Sequence, residues 1–330
     1  ICDEAHQASG KSISSIIDNL VNCRYRIGLT GTLNGAEMHE LEMQARFGDV
    51  FKMVTTRELI DRGIVSDIKI NAIKLTRDKA TIDHFHGLTK NDYQREIDYL
   101  VNSPERNDYL TNLAMTLPTN TLMLFNYIDA HGMKLLDIMN SQSVRFKKKV
   151  FYISGSVKKK DRTLIKKAMD SDLPIFYELT FDNGSTAIID AEDLDVNNLT
   201  KYLHDRINLE EYGDQVYIDG DVSSANLIDV KSTEGAYILL ATYGTLAVGV
   251  SIKRLHNLIF AHPYKARIRN LQSIGRLLRK SEVKNKVFLY DVIDDYRKGK
   301  KVNHCYKHAI QRLEIYEEEE FEYDIIEKRI

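Results

Sequence analysis

Two groups of charged residues, near opposite ends of the chain, are suited to phosphoryl-transfer chemistry. Asp3 and Glu4 form an adjacent pair of carboxylates, and Arg276 and Arg279 stand three residues apart in a predicted helix. Carboxylates can hold Mg²⁺ and orient a water molecule, and guanidinium groups can neutralise charge on a phosphoryl group in transit. Together they predict a nucleoside triphosphatase whose site is assembled from distant segments.

Polar residues next to these groups extend the predicted site. His6 follows the acidic pair and could link it to a neighbouring domain. Gln272 lies one helical turn before Arg276, on the same predicted face. Thr30 and Thr32 flank a glycine at the end of a short predicted strand, where their hydroxyls could hydrogen-bond the acidic motif and relay the nucleotide state. Each motif alone is equally compatible with a solvated loop or a capped turn, and their order along the chain favours the functional interpretation.

A second polar segment follows a hydrophobic strand. Thr242 and Thr245 could offer hydroxyl and backbone N–H groups to a nucleic-acid phosphate, and Gly249 would allow a nucleotide to approach closely. A glycine-rich turn between a strand and a helix explains these residues equally well.

The tripeptide Gly10-Lys11-Ser12 matches the end of a Walker A loop, but that loop needs a glycine where this chain has Ala5. We therefore predict a helix that starts here, capped by Ser9 or Gly10. Lysine clusters at 147–149, 158–160 and 166–167 either line a phosphate-tracking groove or form a solvated face.

The bulk composition excludes several classes of protein. The chain has 330 residues, 43% of them hydrophobic, and a net charge of −2, so any basic surface must be local. Its three cysteines have no metal-ligand spacing, which argues against a zinc module or a disulfide framework and fits a reducing cytosol. The sequence shows neither a signal peptide nor a long apolar stretch, and therefore predicts a soluble protein without a membrane partner.

Alternating elements must position these residues. Strands are predicted at 68–75, 121–125, 149–153, 236–241, 257–261 and 286–292, with helices between them, including 131–139, 161–169 and 268–279. This alternation predicts an α/β fold with a doubly wound parallel sheet, in which ligands sit at the carboxyl ends of the strands. Residues about 170–214 break the rhythm and are predicted to be an insertion, with a hairpin at 178–189 and a helix at 194–207. The tail, 314–330, is predicted to be a solvated acidic helix.

With these motifs in this order, the chain resembles the superfamily 2 helicases, specifically their DEAH-box-like branch. The resemblance includes the acidic tetrapeptide at 3–6, the segments at 30–32, 242–252 and 272–279, and the acidic run at 291–295. It implies RecA-like domains with ATP and Mg²⁺ between them. Asp3 would serve the metal, Glu4 the attacking water, and His6, Gly249 and Gln272 the nucleotide. Arg276 and Arg279 would be arginine fingers, and Thr242 and Thr245 would touch the nucleic-acid backbone.

The resemblance also implies a domain plan and a biological setting. Residues 1–65 would end a first RecA-like ATPase domain, and 66–330 would form the second, carrying the insertion. A phosphate loop is absent, so we expect the chain alone not to turn over ATP normally. The implied activity is ATP-dependent unwinding or remodelling of branched or single-stranded DNA in recombination, repair and replication. Recombination or replication proteins would be partners, in the cytoplasm of a phage-infected bacterium.

Two alternatives remain open. The chain could be a non-catalytic module that only binds nucleic acid. It could also be part of a restriction-type translocase or an RNA helicase with the same core.

Overall fold

A parallel sheet of seven strands forms the centre of the fold in the computed structural model, which describes residues 1–8, 10–31, 37–191, 216–221, 225–233, 235–246, 252–282 and 284–330. The described strands are β1 (Asp67–Thr76), β2 (Thr121–Phe125), β3 (Lys148–Ile153), β4 (Phe176–Phe181), β5 (Thr186–Asp190), β6 (Val216–Asp219), β7 (Leu227–Thr233), β8 (Ala236–Thr242), β9 (Asn257–Phe260), β10 (Lys286–Asp294) and β11 (Tyr323–Arg329). The main sheet has the order β11-β1-β10-β9-β2-β8-β3, and its neighbours pair in parallel.

Helices cover both faces of this sheet. The described helices are α1 (Lys11–Asp18), α2 (Glu37–Phe47), α3 (Thr56–Asp61), α4 (Lys79–Thr89), α5 (Tyr93–Asn102), α6 (Pro104–Thr116), α7 (Met133–Asn140), α8 (Lys159–Met169), α9 (Tyr243–Leu246), α10 (Arg267–Leu277) and α11 (His304–Glu318). One apolar cluster holds side chains of α8, α10 and α11, and a second holds those of α6 and α7. Every residue of β2 is buried, as expected for a central strand covered on both faces. The predicted α/β fold with a parallel sheet is therefore confirmed.

Local features define three helix ends, and the first confirms the predicted helix start at Gly10. Gly10 is the N-cap of α1, so the Gly-Lys-Ser tripeptide begins a helix. Thr55 and Glu58 form a reciprocal capping box at α3, and Gly63 follows that helix with a φ of 63°. Ser103 ends α5 and caps α6, so these two helices are divided next to Pro104.

The predicted helical tail is wrong in its second half. Helix α11 ends at Glu318, and the chain then turns back to form β11, the strand at one edge of the main sheet. Residues of β11 pair with β1 in parallel over seven positions. Six of its seven residues are exposed without interruption, so the inside–outside alternation that identifies a half-buried strand is missing. Pairing with β1 decides its conformation.

The segment predicted to be an insertion forms a second, antiparallel sheet with the order β6-β5-β4-β7. Strands β4 and β5 form the predicted hairpin, and Gly184 in its turn has a φ of 85°. The sheet continues to Thr233 in β7, beyond the predicted limit at residue 214. The helix predicted at 194–207 lies outside the described residues.

The first lysine cluster joins the two sheets. Lys147 pairs with Glu178 of β4 at 3.6 Å, and Lys149 pairs with Asp190 of β5 at 3.2 Å. The buried Lys148 donates to the carbonyl oxygen of Leu117, and burial lowers its pKa to about 8. These three side chains therefore have structural partners, whereas Lys158, Lys159 and Lys160 are exposed. In the described part of the chain, no helix is long and apolar enough to cross a membrane.

Candidate nucleotide and nucleic-acid sites

The acidic pair follows a short paired segment near the start of the chain. The Cys2 N–H donates to the Ile27 carbonyl at 2.8 Å, and the Leu29 N–H donates to the Cys2 carbonyl at 2.8 Å. Cys2 and Gly28 thereby form a parallel bridge, although no full strand develops in the region predicted as one. Asp3 and Thr30 each come directly after this pairing, so the acidic motif and the threonine motif leave it on the same side.

One histidine nitrogen connects these two motifs. The Nδ1 atom of His6 lies 2.9 Å from Thr30 Oγ1 and 3.2 Å from Glu4 Oε2. The His6 side chain is buried, while that of Glu4 is about half exposed. Glu4 also adopts a left-handed backbone conformation with a φ of 49°, which is uncommon for a residue other than glycine. This conformation sets the direction in which the Glu4 side chain leaves the backbone. Thr30 therefore contacts the acidic motif as predicted, through His6. Thr32 lies outside the described residues.

Asp3 and Glu4 suit a Mg²⁺ ion that is shared with water and a bound phosphate better than a metal ion that is held by protein ligands alone. Both residues are exposed, and Asp3 Oδ1 accepts the N–H of Glu4 at 2.9 Å. Among the described residues, no group of three His, Cys, Asp or Glu could cage a metal. Mg²⁺ commonly takes one or two carboxylates, completing its shell with water and substrate phosphates. The exposed pair suits that arrangement.

The two candidate arginines lie at the end of α10, but not on one helical face. Arg276 is in the last turn, whereas Arg279 follows the helix and forms an antiparallel bridge with Val65. The Ser66 N–H donates to the Leu278 carbonyl at 2.8 Å. The segment before β1 therefore hydrogen-bonds to the backbone that follows the helix. The prediction of a helix through residue 279 is therefore wrong by two residues. Arg279 is exposed, and Arg276 is half-buried.

Arg276 lies within electrostatic range of the acidic motif. Burial lowers the pKa of Arg276 and the neighbouring Arg279 lowers it further, while the Glu4 carboxylate raises it. The guanidinium remains charged at all working pH values, because the ordinary arginine pKa is above 12. Glu4 is thus one of the charges that act on Arg276, although most of the chain separates the two residues in sequence.

A buried lysine that the motif analysis missed supports this end of α10. Lys284 donates from Nζ to the Leu277 carbonyl at 2.9 Å, and its own carbonyl accepts from Ser66 Oγ at 3.3 Å. A cation at a helix C-terminus satisfies a free carbonyl and interacts favourably with the helix dipole. Burial lowers the pKa of Lys284 to about 8. Nothing in the local sequence pattern distinguishes this lysine from its exposed neighbours.

Gly275 has no packing role among the described residues. It is exposed on α10, and a Cβ atom added there would meet no described atom within 4 Å. Gln272, one turn before Arg276, is half-buried on the same helix. The glycine is therefore not needed for helix packing, although it costs a helix interior about 1 kcal/mol relative to alanine.

Thr242 and Thr245 lie at the carboxyl end of β8, where α9 begins. Their Oγ1 atoms are 2.6 Å apart, and the Thr245 N–H donates to Thr242 Oγ1 at 3.3 Å. Both residues are buried, so they start the helix by bonding to one another. The contact with a nucleic-acid phosphate stays a prediction, and Gly249 lies outside the described residues.

The predicted residues fall on two different edges of the main sheet. Helix α10 begins after the carboxyl end of β9 and returns to Val65 and Ser66, which precede β1. Its 11 residues span about 16 Å at 1.5 Å per residue. Thr242 thus lies at the carboxyl edge, whereas Arg276 and Arg279 lie towards the amino edge.

The acidic run at 291–295 has a structural explanation that the sequence did not reveal. Asp291 receives hydrogen bonds from Arg312 at 2.7 to 3.0 Å and from the Tyr316 hydroxyl at 2.9 Å. Asp294 Oδ1 accepts a hydrogen bond from Arg106 Nε at 2.9 Å. All of these side chains are buried. Asp291 and Asp294 therefore anchor helices α11 and α6 to β10.

No protein-family model matches the chain. The chain is 29% identical to the ATP-dependent DNA helicase UvsW of Enterobacteria phage T4, in an alignment that covers 97% of this chain and 53% of UvsW. The crystal structure of T4 UvsW has a TM-score of 0.51 with 27% identity, covering 99% of this chain and 53% of that one. The chain thus spans about half the length of this relative.

A DNA-bound structure of the ATP-dependent Type ISP restriction-modification enzyme LlaBIII has a TM-score of 0.58. At 14% identity, covering 99% of this chain and 21% of that enzyme, it shows the fold alone. The similarity to UvsW confirms the resemblance to superfamily 2 helicases, and the parallel sheet with its flanking helices is RecA-like.

Proposed function

Because the chain is similar to T4 UvsW along almost its whole length, we propose that it works in an ATP-dependent DNA helicase or translocase that remodels branched DNA. One observation carries the proposal: 29% of the residues are identical in an alignment that covers 97% of this chain. The acidic motif and the arginines of α10 also lie on either side of the boundary that precedes β1. A triphosphatase that couples hydrolysis to movement needs its carboxylates and arginines to meet across such a boundary.

We propose residues 1–65 as the end of one RecA-like domain and 66–330 as the second, with an insertion that begins at about residue 170. The main sheet begins at Asp67, which supports this boundary, and a small separate cluster of Ala8, Ile17 and Met43 packs before it. The backbone contacts of Val65 and Ser66 with 278–279 lie at the junction. A change in nucleotide state at Glu4 would act on α10 through this junction.

Asp3 and Glu4 would hold Mg²⁺ through water and position the attacking water, respectively. Bound Mg²⁺ would supply charge that stabilises the phosphoryl group in transit. His6 would hold Glu4 in place and pass its position to Thr30, since one nitrogen reaches both partners. Arg276 and Arg279 would neutralise the phosphates, with Gln272 beside them, and Lys284 would fix the end of the helix that carries Arg276.

The DNA would lie at the carboxyl edge of the main sheet, where Thr242 and Thr245 end β8. Ligands of parallel α/β sheets bind at this edge. Recombination or replication proteins as partners, and action in the cytoplasm of a phage-infected bacterium, belong to the same proposal.

The test is ATP hydrolysis by the natural protein that contains this chain, measured with forked DNA, single-stranded DNA and RNA. Glu4→Gln should retain nucleotide binding and lose hydrolysis, and Arg279→Ala or Arg276→Ala should lower kcat by roughly 10³-fold. Matched controls are Glu282→Gln and Arg62→Ala, both at exposed positions. Normal turnover in the Glu4 or arginine variants would refute the assigned roles, and stimulation by RNA alone would refute the DNA substrate.

A non-catalytic nucleic-acid-binding module is the second candidate, favoured by the exposed lysines at 158–160. It would bind DNA with equal affinity in the presence and absence of ATP, and Glu4→Gln would change nothing. A restriction-type translocase would show ATP hydrolysis stimulated by DNA without strand separation of a forked substrate.

A further inference from the structure

A cleft of about 390 Å³ opens where helices α5, α10 and α11 begin. Six residues line it: Tyr93, Tyr264, Lys265, Ala266, His304 and His308. The volume falls in the range of about 300–1,000 Å³ that is usual for ligand pockets. The lining is rich in rings and in cationic or titratable groups, and none of these residues belongs to the motifs described above.

The rings of the cleft offer faces and edges to a planar ligand. Tyr93 packs edge-on against His308 with ring centroids 5.1 Å apart, and it remains 37% exposed. Tyr264 stacks on the buried Tyr243 at 5.0 Å, which fixes the orientation of its ring. Burial raises the pKa of Tyr93 to about 12, so its ring stays neutral at working pH. Base–aromatic stacking requires such neutral, oriented rings.

The same cleft has the electrostatics of an anion site. Lys265 is exposed at its rim, and Arg269, also exposed, lies 5.3 Å from the centre of the Tyr264 ring. Helix α10 begins there without a side-chain cap and without an acidic residue in its first turn, whereas the Cys305 N–H of α11 already donates to Glu96 Oε2 at 3.2 Å. Uncapped N–H groups and the positive end of the helix dipole favour phosphate.

We propose that this cleft holds one nucleotide of single-stranded DNA, with the base against Tyr93 and Tyr264 and a phosphate at Lys265. This inference rests on the proposed function. The cleft lies beyond the carboxyl ends of β9 and β10. In the main sheet only β2 lies between β9 and β8, which ends at Thr242. A strand that passes Thr242 along this edge reaches the cleft without crossing the sheet.

The ring contribution is tested by binding of the 330-residue chain to a fluorescein-labelled 15-mer of oligodeoxythymidine. Tyr93→Ala should weaken binding by about 5- to 100-fold, the usual loss when one stacking ring is removed. Tyr93→Phe keeps the ring and should bind as the wild type does. Tyr25→Ala removes a tyrosine of the N-terminal segment that is 72% exposed, and it serves as the control.

The charge contribution has a different signature. Lys265→Gln should reduce the slope of log K against log salt concentration by about 0.7, the value for one phosphate contact on a single strand. Tyr93→Ala should leave that slope unchanged. Lys286→Gln, at the amino end of β10 on the opposite edge, is the matched control.

An oligonucleotide that carries 2-aminopurine distinguishes stacking from general attraction. Its fluorescence should be quenched by the wild type and by Tyr93→Phe, but not by Tyr93→Ala. Unchanged affinity in both Tyr93→Ala and Lys265→Gln, with the wild type binding DNA, would overturn the cleft assignment alone. Competition by free ATP, or no binding of DNA by the wild type, would also overturn it, and the latter result would contradict the proposed function too.

Discussion

The ion pair between Arg312 and Asp291 should be the strongest single polar determinant of stability in the main sheet. Both side chains are buried, and three hydrogen bonds of 2.7 to 3.0 Å join them. Burial alone would lower the pKa of Arg312, but Asp291 raises it by charge and by hydrogen bonding. Arg312 therefore keeps its charge, and neither side chain can meet water when the other is removed.

Arg312→Met keeps most of the side-chain volume but leaves the Asp291 carboxylate without its counter-charge. Loss of one member of a buried pair typically costs about 3–5 kcal/mol. For a domain of this size, about 2–4 °C of Tm accompanies each kcal/mol, so Tm should fall by roughly 6–20 °C. Urea unfolding followed by circular dichroism, together with thermal scans, measures both quantities.

Two further variants separate the buried charge from the loss of contacts. Arg297→Met breaks a pair with Asp295 whose arginine is 41% exposed, and should cost about 0–1 kcal/mol. Arg312→Met combined with Asp291→Leu removes both charges and should recover much of the lost stability. Equal losses in Arg312→Met and Arg297→Met, or a double variant weaker than Arg312→Met, would refute the reasoning.

Two other predictions concern α10 and the buried lysines. Gly275→Ala should raise the free energy of unfolding by about 0.5–1 kcal/mol in urea titrations, because an added Cβ meets no described atom within 4 Å and alanine favours helix. A loss of stability would contradict this reasoning. Burial lowers the pKa of Lys148 and Lys284 to about 8, from 10.5 when unfolded, so the unfolded chain binds more protons above pH 8 and stability should rise from pH 8 to 9.5. Lys148→Met should flatten that rise, and a profile that is flat in the wild type would show that these lysines are not desolvated.

The main sheet could be predicted from the sequence because apolar runs alternate regularly with amphipathic segments. Strand β2 was predicted with its observed limits because a continuous apolar run of four residues after Thr121, bounded by polar residues, suits a strand covered on both faces. Strand β11 was missed because its burial comes from one partner only, and its exposed positions carry no alternation that a sequence pattern could show.

For the site, residue types and order along the chain were enough to select Glu4, His6 and Thr30, because acidic and hydroxyl groups after strand-like segments are a local signal. Tertiary structure decided which of them touch, and it placed the His6 nitrogen between its two partners. It also separated Arg279 from the helix of Arg276, since pairing of the backbone at Val65 outweighed the helical pattern. The supporting Lys284 and the cleft around Tyr93 depend on contacts between segments that are far apart in the sequence. Local residue spacing carries no information on which distant segments come together in the fold.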